Sequence, residues 1–96
     1  MRADRLKAVA PDTGKAFLDA ILASPDIRAG IYRKLADPAG IDTRDGVRMT
    51  LETGEVIHFR QSGNAPEMRC YVETGDVSTT EGLLSSVIEG MRRAIG

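Results

Sequence analysis

One short stretch of the sequence concentrates side chains that are suited to holding an anion. Arg60, Ser62, Gly63 and Asn64 stand within five residues. An arginine presents a forked pair of donors that matches two phosphate oxygens, and serine and asparagine add neutral donors. Gly63 is expected to take a positive φ and bring backbone amides close to a ligand, and Pro66 to end the loop. The stretch therefore predicts an oxyanion-binding loop.

The same residue types also allow a simpler interpretation. Ser, Gly, Asn and Pro are ordinary turn residues, so the stretch is also compatible with a hairpin loop that has an arginine beside it. The excess of arginine over lysine in the chain adds little, because composition alone can produce it. Residue chemistry leaves both interpretations open.

Composition describes one small globular domain over residues 1–96. Of the 96 residues, 42% are hydrophobic, and 13 basic side chains nearly balance 14 acidic ones. This is enough apolar material for a single core, and it is unlike a disordered chain. A net charge of −1 gives no reason to expect nucleic-acid or anionic-membrane binding.

Cysteine content and the N-terminus bear on the compartment. Cys70 is the only cysteine, which excludes an internal disulfide, and the chain is interpreted as cytoplasmic. The first residues lack the apolar core of a signal peptide, and no apolar run is long enough to span a bilayer.

Three segments with apolar stripes predict helices. The first is expected at about 13–23 with Asp12 or Thr13 as its cap, and the second begins with Ser24 as its cap. The third follows a loop at 75–79, where Ser78 and Glu81 have capping-box spacing. The residues expected on the buried faces are Phe17, Leu18, Ile21 and Leu22; Ile27, Ile31 and Leu35; and Leu83, Leu84, Val87, Ile88, Met91 and Ile95.

Between the second and third helices the hydrophobic period changes to two. Strands are expected at 41–44, 47–51, 56–60 and 68–73, with Asp45-Gly46 as a two-residue hairpin turn. A short edge strand at 5–9 is a further possibility. The predicted fold is α+β, a four-stranded antiparallel sheet with helices on one face and solvent on the other.

Three segments of the sequence carry a resemblance to a known family. They are Ala3-Asp4-Arg5-Leu6, Asp45-Gly46-Val47-Arg48 and Arg60-Gln61-Ser62-Gly63-Asn64-Ala65-Pro66-Glu67-Met68-Arg69-Cys70-Tyr71-Val72-Glu73. They resemble the C-terminal domain of the α-D-phosphohexomutases, most of all the bacterial phosphomannomutase/phosphoglucomutase branch. The loop of that family reads Arg-Pro-Ser-Gly-Thr-Glu-Pro, often with Ser-Gly-Asn-Ala-Pro in the phosphomannomutases. The resemblance covers nearly the whole chain.

The resemblance implies a fold and a site. The last of the family's four domains is TATA-binding-protein-like, and its loop holds the phosphate that is not being transferred. Arg60, Ser62, Gly63 and Asn64 fall on the phosphate-binding positions. Gln61 stands where proline is usual, which is expected to loosen the loop backbone.

The resemblance also implies what this chain needs from elsewhere. These isomerases interconvert 6-phospho- and 1-phosphosugars with a phosphoserine, a magnesium loop and a sugar-discriminating loop, and none of the three is found in this sequence. The chain is therefore expected to hold no catalytic residue and no metal ligand. Its expected partners are a hexose phosphate (mannose or glucose phosphate) and the other three domains, and magnesium is expected in those domains.

A different class of function remains the alternative. A non-enzymatic module could bind a peptide or nucleic acid on the open sheet face, although balanced charge and few aromatic residues argue against nucleic acid. On that face His58 and Arg69 are expected to be solvated, with a possible role beside Arg60, and Cys70 is expected in the core. The residues interpreted as surface, turn or helix-end groups are Lys15, Asp42, Asp45, Glu67, Glu73, Arg92 and Arg93.

Overall fold

The computed structural model describes all 96 residues as an α+β fold. Five strands, three α-helices and one short 3₁₀ turn make up the chain. In chain order they are β1 (Arg2–Lys7), α1 (Pro11–Ala23), α2 (Pro25–Ile31), the 3₁₀ turn Arg33–Ala36, β2 (Gly40–Asp42), β3 (Val47–Thr50), β4 (Val56–Gln61), β5 (Glu67–Glu73) and α3 (Val77–Ile95).

The sheet has five strands and not the four that the sequence predicted. Its order is β1-β5-β4-β3-β2, and every neighbouring pair is antiparallel. The added strand, β1, pairs with β5 from Arg2 opposite Val72 to Lys7 opposite Glu67. Only Leu6 among its six residues is buried, so β1 lacks the alternation that reveals a half-buried strand.

Two helices begin at residues other than those predicted. α1 starts at Pro11, and neither Asp12 nor Thr13 caps it, because the N-cap position is Ala10 and has no side-chain hydrogen bond. Proline suits the first helical position, since its φ is already helical and its missing N–H has no intrahelical partner there. None of the helices combines the length and apolar composition of a bilayer-spanning segment.

α3 is capped by Asp76, not by the predicted pair Ser78 and Glu81. The Asp76 carboxylate accepts a hydrogen bond from the backbone N–H of Thr79 at 2.9 Å and another from its hydroxyl at 2.8 Å. The cap of α2 is confirmed, because the Ser24 hydroxyl accepts from the backbone N–H of Ile27 at 3.2 Å.

The helices pack against one face of the sheet, as predicted, and leave the other in solvent. α1 contacts β4 and β5, and α3 contacts β1 and β5. Phe17 and Phe59 meet edge to face, with ring centroids 5.6 Å apart. Ile27, predicted to be buried, is 40% exposed. The fully buried large side chains are Ile21, Leu35, Val47, Met49, Ile57, Phe59, Met68, Cys70, Val72, Val87 and Met91.

A buried arginine joins the two short helical elements to α1. Arg28 donates to the carbonyls of Ile21 and Leu35 at 2.8 Å, and to those of Leu22 and Ala36 at 3.3 and 3.1 Å. Its guanidinium satisfies carbonyls left unpaired where α1 and the 3₁₀ turn end. This role could not be predicted from the sequence, because an arginine in a short helix is usually solvated.

The bend between β2 and β3 is longer than the predicted two-residue turn. β2 ends at Asp42, so four residues connect the strands, and Gly46 has a φ of +72°. Asp42 stabilises the bend by accepting from the backbone N–H of Arg44 at 2.9 Å and from its guanidinium at 2.6 Å. That guanidinium lowers the pKa of Asp42 to about 2.

Candidate functional site

Residues 62–66 form the loop between β4 and β5, and Arg60 precedes it near the end of β4. The loop is closed by hydrogen bonds from Ser62 N–H to the carbonyl of Glu67 (3.1 Å) and from Glu67 N–H to that of Ala65 (2.8 Å). The predicted site residues thus share one strand end and its loop. Pro66 ends the loop as predicted, because β5 begins at the next residue.

The prediction for the backbone of Gly63 is wrong. Gly63 is not among the residues with positive φ, and a Cβ added there would meet no atom within 4 Å. The two hydrogen bonds between the loop's ends close it without a left-handed residue. Glycine at this position leaves one side of the loop open and is not required by the turn.

The polar side chains of the loop make few hydrogen bonds within the chain. The Ser62 hydroxyl accepts from the backbone N–H of Asn64 at 3.4 Å, which is the one direct contact among the predicted site residues. Gly63 and Asn64 are exposed, and the Asn64 carboxamide has no hydrogen bond within the chain. The Asn64 carboxamide is therefore available to a ligand, and the hydroxyl of the partly buried Ser62 donates no hydrogen bond within the chain.

Arg60 lies on the open face of the sheet and pairs with an acid from the β2–β3 bend. Its Nε is 3.3 Å from Oδ2 of Asp45, and the two side chains are 46% and 64% exposed. The bend is held there by the His58 ring, whose Nε2 lies within hydrogen-bond distance of the Asp45 carbonyl oxygen. Gly46 is required at this contact, because a Cβ would lie 2.2 Å from the Phe59 carbonyl oxygen.

A second arginine stands directly beside Arg60. Arg69 of β5 is its antiparallel partner, and Arg5 of β1 is the partner of Arg69 on the other side. Like charges opposite each other destabilise a sheet unless a counterion separates them. Glu67 does so here, with carboxylate oxygens 3.3 Å from Arg5 and 3.6 Å from Arg69.

His58 and Tyr71 border a shallow cavity next to Arg60. Their rings are 5.6 Å apart on the open face, and the cavity measures about 250 Å³. His58 is half-buried and held by the bend, so it is not simply solvated as the sequence suggested. The expectation for Cys70 is confirmed: the thiol is buried.

Three residues from elsewhere in the chain, Pro11, Gly14 and Asp45, contact Arg60 or Gln61, and these contacts were not recognised from the sequence. The Gln61 carboxamide donates to the carbonyl of Pro11 at 2.9 Å and lies against Gly14 of α1, while Asp45 reaches Arg60 from another strand pair. A glycine inside a helical pattern is the single sequence signal that could have drawn attention to this contact.

Fold and site together describe an α+β domain with an arginine and hydrogen-bond donors where two interior strands of the sheet, β4 and β5, are connected. The chain is similar to the phosphomannomutase of Sinorhizobium fredii (strain NBRC 101917 / NGR234), with 40% identity over 74 residues, which is 77% of this chain and 16% of the relative. It is also similar to the phosphomannomutase of Salmonella muenchen, with 36% identity over 55 residues, 57% of this chain and 12% of that protein. No family model matches the chain.

These similarities confirm the resemblance to the phosphohexomutases. A continuous stretch of 74 residues in a chain of 96 necessarily includes residues 23–74, so the first match takes in β2 to β5 and the loop between β4 and β5. The chain is related in sequence to a domain-sized part of phosphomannomutases, and it spans less than one fifth of the length of these relatives.

Proposed function

We propose that this chain is the phosphate-binding C-terminal domain of a phosphomannomutase/phosphoglucomutase. In this proposal the loop at 62–66 and Arg60 hold the phosphate of a hexose phosphate that is not being transferred. Arg60, Ser62, Gly63 and Asn64 are the binding residues. The observation that carries the proposal is the half-exposed guanidinium of Arg60 next to a loop whose Ser62 hydroxyl and Asn64 carboxamide donate no hydrogen bond within the chain.

Charge on the neighbouring strand supports the same assignment. Arg69 lies directly opposite Arg60 in the sheet, and its ion pair with Glu67 is a single contact at 3.6 Å. A phosphate dianion makes charge-assisted hydrogen bonds that are stronger than such an exposed pair. Arg69 therefore adds positive electrostatic potential near the loop. The sequence analysis had interpreted it as a solvated side chain with a possible role beside Arg60.

The proposed role fits a ligand that must bind in two opposite orientations. An enzyme that interconverts 6-phospho- and 1-phosphosugars has to hold either end of a bisphosphate, so the holding site should recognise the dianion and not the sugar ring. A guanidinium with small neutral donors does this. The chain would not be catalytic alone, and magnesium and the phosphoserine would belong to the other three domains. We also propose that the fold of this domain is related to that of the TATA-binding protein.

An amide chemical-shift titration of the chain tests the binding residues. Mannose 1-phosphate and inorganic phosphate should both shift the amides of Arg60 to Ala65, and mannose should shift none. One contact domain among several should bind at about millimolar concentration. Arg60→Ala should weaken binding about tenfold or more, because charge-assisted hydrogen bonds are worth about 1.5–3 kcal/mol.

Arg92→Ala is the matched control, since it removes the same charge from the exposed end of α3. Equal weakening by both variants would mean that only net charge matters and would overturn the site. A response to an oligonucleotide with steep salt dependence, without a response to phosphate, would favour a nucleic-acid module instead.

A further inference from the structure

Gln61, which replaces the usual proline of the loop motif, makes a specific contact with the start of α1. Its Nε2 donates to the carbonyl oxygen of Pro11 at 2.9 Å. Fifty residues separate the two in sequence. The contact therefore connects the end of β4, where the loop begins, to a rigid element on the other side of the chain.

Gly14 makes room for that side chain. A Cβ on Gly14 would lie 2.4 Å from Nε2 of Gln61 and 3.0 Å from its Cδ, so alanine at this position would force the carboxamide to move. Gly14 is buried inside α1, where glycine is less favourable than alanine because it loses more backbone freedom on folding. The less favourable glycine thus occurs at the position in α1 where the Gln61 side chain packs against the helix.

The other end of the loop is tied to the same segment. The backbone N–H of Val9 donates to the carbonyl of Pro66 at 2.8 Å. Gln61, which precedes the loop, and Pro66, its last residue, are thus both hydrogen-bonded to the three residues 9–11, where α1 begins. Within the loop, Ser62 N–H and the Ala65 carbonyl each bond to Glu67, and Asn64 N–H makes a weak bond of 3.4 Å to the Ser62 hydroxyl.

We infer that the Gln61–Gly14 contact positions the loop at 62–66, so that Gln61 is a positioning residue and Gly14 is its required partner. Proline at the position of Gln61 would fix the backbone directly by restricting φ. Here a side-chain hydrogen bond to α1 supplies the restraint. The consequence for phosphate affinity rests on the function proposed above, but the contact itself can be tested without a ligand.

A double-mutant cycle measured by urea unfolding tests the contact. Gly14→Ala should lower the unfolding midpoint when Gln61 is present, because the new Cβ expels the carboxamide. In the Gln61→Ala background the same change should raise the midpoint, since the space is empty and alanine favours the helix. Gly82→Ala, at a helical glycine with open space, should raise the midpoint in both backgrounds. A Gly14→Ala effect of the same sign in both backgrounds would overturn the inference.

Loop mobility gives a second readout that does not depend on global stability. Gln61→Met keeps the length and charge of the side chain but removes the donor. It should lower the ¹⁵N order parameters of residues 62–65 while the turn at 74–76, which is built from its own Thr74 and Asp76 contacts, stays unchanged. Unchanged order parameters at 62–65 would show that Gln61 does not position the loop.

Phosphate titration of the same variant separates this inference from the proposed function. Gln61→Met should weaken phosphate binding about threefold to tenfold. If the unmodified chain binds no phosphate while the cycle and the order parameters behave as expected, the proposed function fails and the positioning role stands. If the chain binds phosphate and Gln61→Met leaves both affinity and order parameters unchanged, the positioning role fails and the function stands.

Discussion

The ion pair between Arg60 and Asp45 places an acid where the proposed ligand would bind. Asp45 contacts only the Nε side of the guanidinium, at 3.3 Å, and both side chains are substantially exposed. A carboxylate in this position competes with a phosphate for Arg60 and repels it. The bend that carries Asp45 is fixed through its backbone by His58 and Gly46, so the carboxylate can leave Arg60 only by rotation of its side chain.

Asp45→Asn should therefore strengthen phosphate binding. We expect an increase of about two- to fivefold, since exposed ion pairs are worth about 0.2–1 kcal/mol. Asp42→Asn is the control, because Asp42 pairs with Arg44 in the same bend and leaves Arg60 untouched. The two affinities can be compared by the amide titration at low salt, and a weaker affinity for Asp45→Asn would indicate that Asp45 orients Arg60 and does not compete for it.

At the level of the site, sequence reasoning found the residues but not their supports. Arg60, Ser62, Gly63 and Asn64 are local in sequence, so one motif contains them. Asp45, Gly14 and Pro11 reach the site through tertiary contacts, which no local pattern reports. The φ of Gly63 was predicted wrongly because a glycine in a turn only permits a left-handed conformation and does not demand one.

Among the secondary-structure elements, α3 offers a test of pH dependence. The backbone N–H and the hydroxyl of Thr79 hydrogen-bond the Asp76 carboxylate and lower its pKa. A group whose pKa is lower in the folded state stabilises the fold above its unfolded pKa, and this contribution is lost as the pH falls through the folded value. Stability from this cap should be complete at neutral pH and should decrease below about pH 4.

Substitution at Asp76 should remove that pH dependence. Asp76→Asn retains a capping oxygen but loses the charge, so it should lower the urea midpoint at pH 7 less than Asp76→Ala does and should flatten the decrease below about pH 4. Asp76→Ala should lower the midpoint at pH 7 as well. Glu52→Gln, an exposed carboxylate without an ion pair, serves as the control. If the urea midpoint of the Asp76 variants decreased with falling pH as steeply as that of the wild type, other acidic residues would account for the acid sensitivity.

The elements that the sequence predicted well are those with one clearly buried face. β3, β4, β5 and α3 show strict periodicity, and their buried positions match it. β1 was overlooked as a full strand because its position is determined by pairing with β5 and by Leu6 alone. The start of α1 was predicted wrongly because it depends on Pro11 and not on a polar cap. The second helix was predicted to include Leu35, which in the structure belongs to a separate 3₁₀ turn.

For the molecule as a whole, Cys70 reports on the integrity of the core. Cys70 lies on β5, the strand between β4 and β1, its side chain is fully buried, and burial raises the pKa of its thiol to about 12. The thiolate is the reactive form, so a thiol reagent should label the folded chain extremely slowly at pH 8. Labelling should become fast in denaturant, with a midpoint that matches the loss of helical circular dichroism.

That agreement would identify unfolding of this domain as one cooperative transition. Rapid labelling under native conditions would instead reveal a local opening of the sheet at β5. The measurement needs no substitution, since no other cysteine is present in the sequence.

The pairing of β1 with β5 has a consequence for synthesis on the ribosome. The strands are neighbours in the sheet although their partners lie about 60 to 70 residues apart in the chain. β1 must therefore wait without its partner until all the elements before α3 have been made. The tie from Val9 to Pro66 can form only after the two strands meet, so the loop that we propose to bind phosphate would be among the last parts of a nascent chain to become competent.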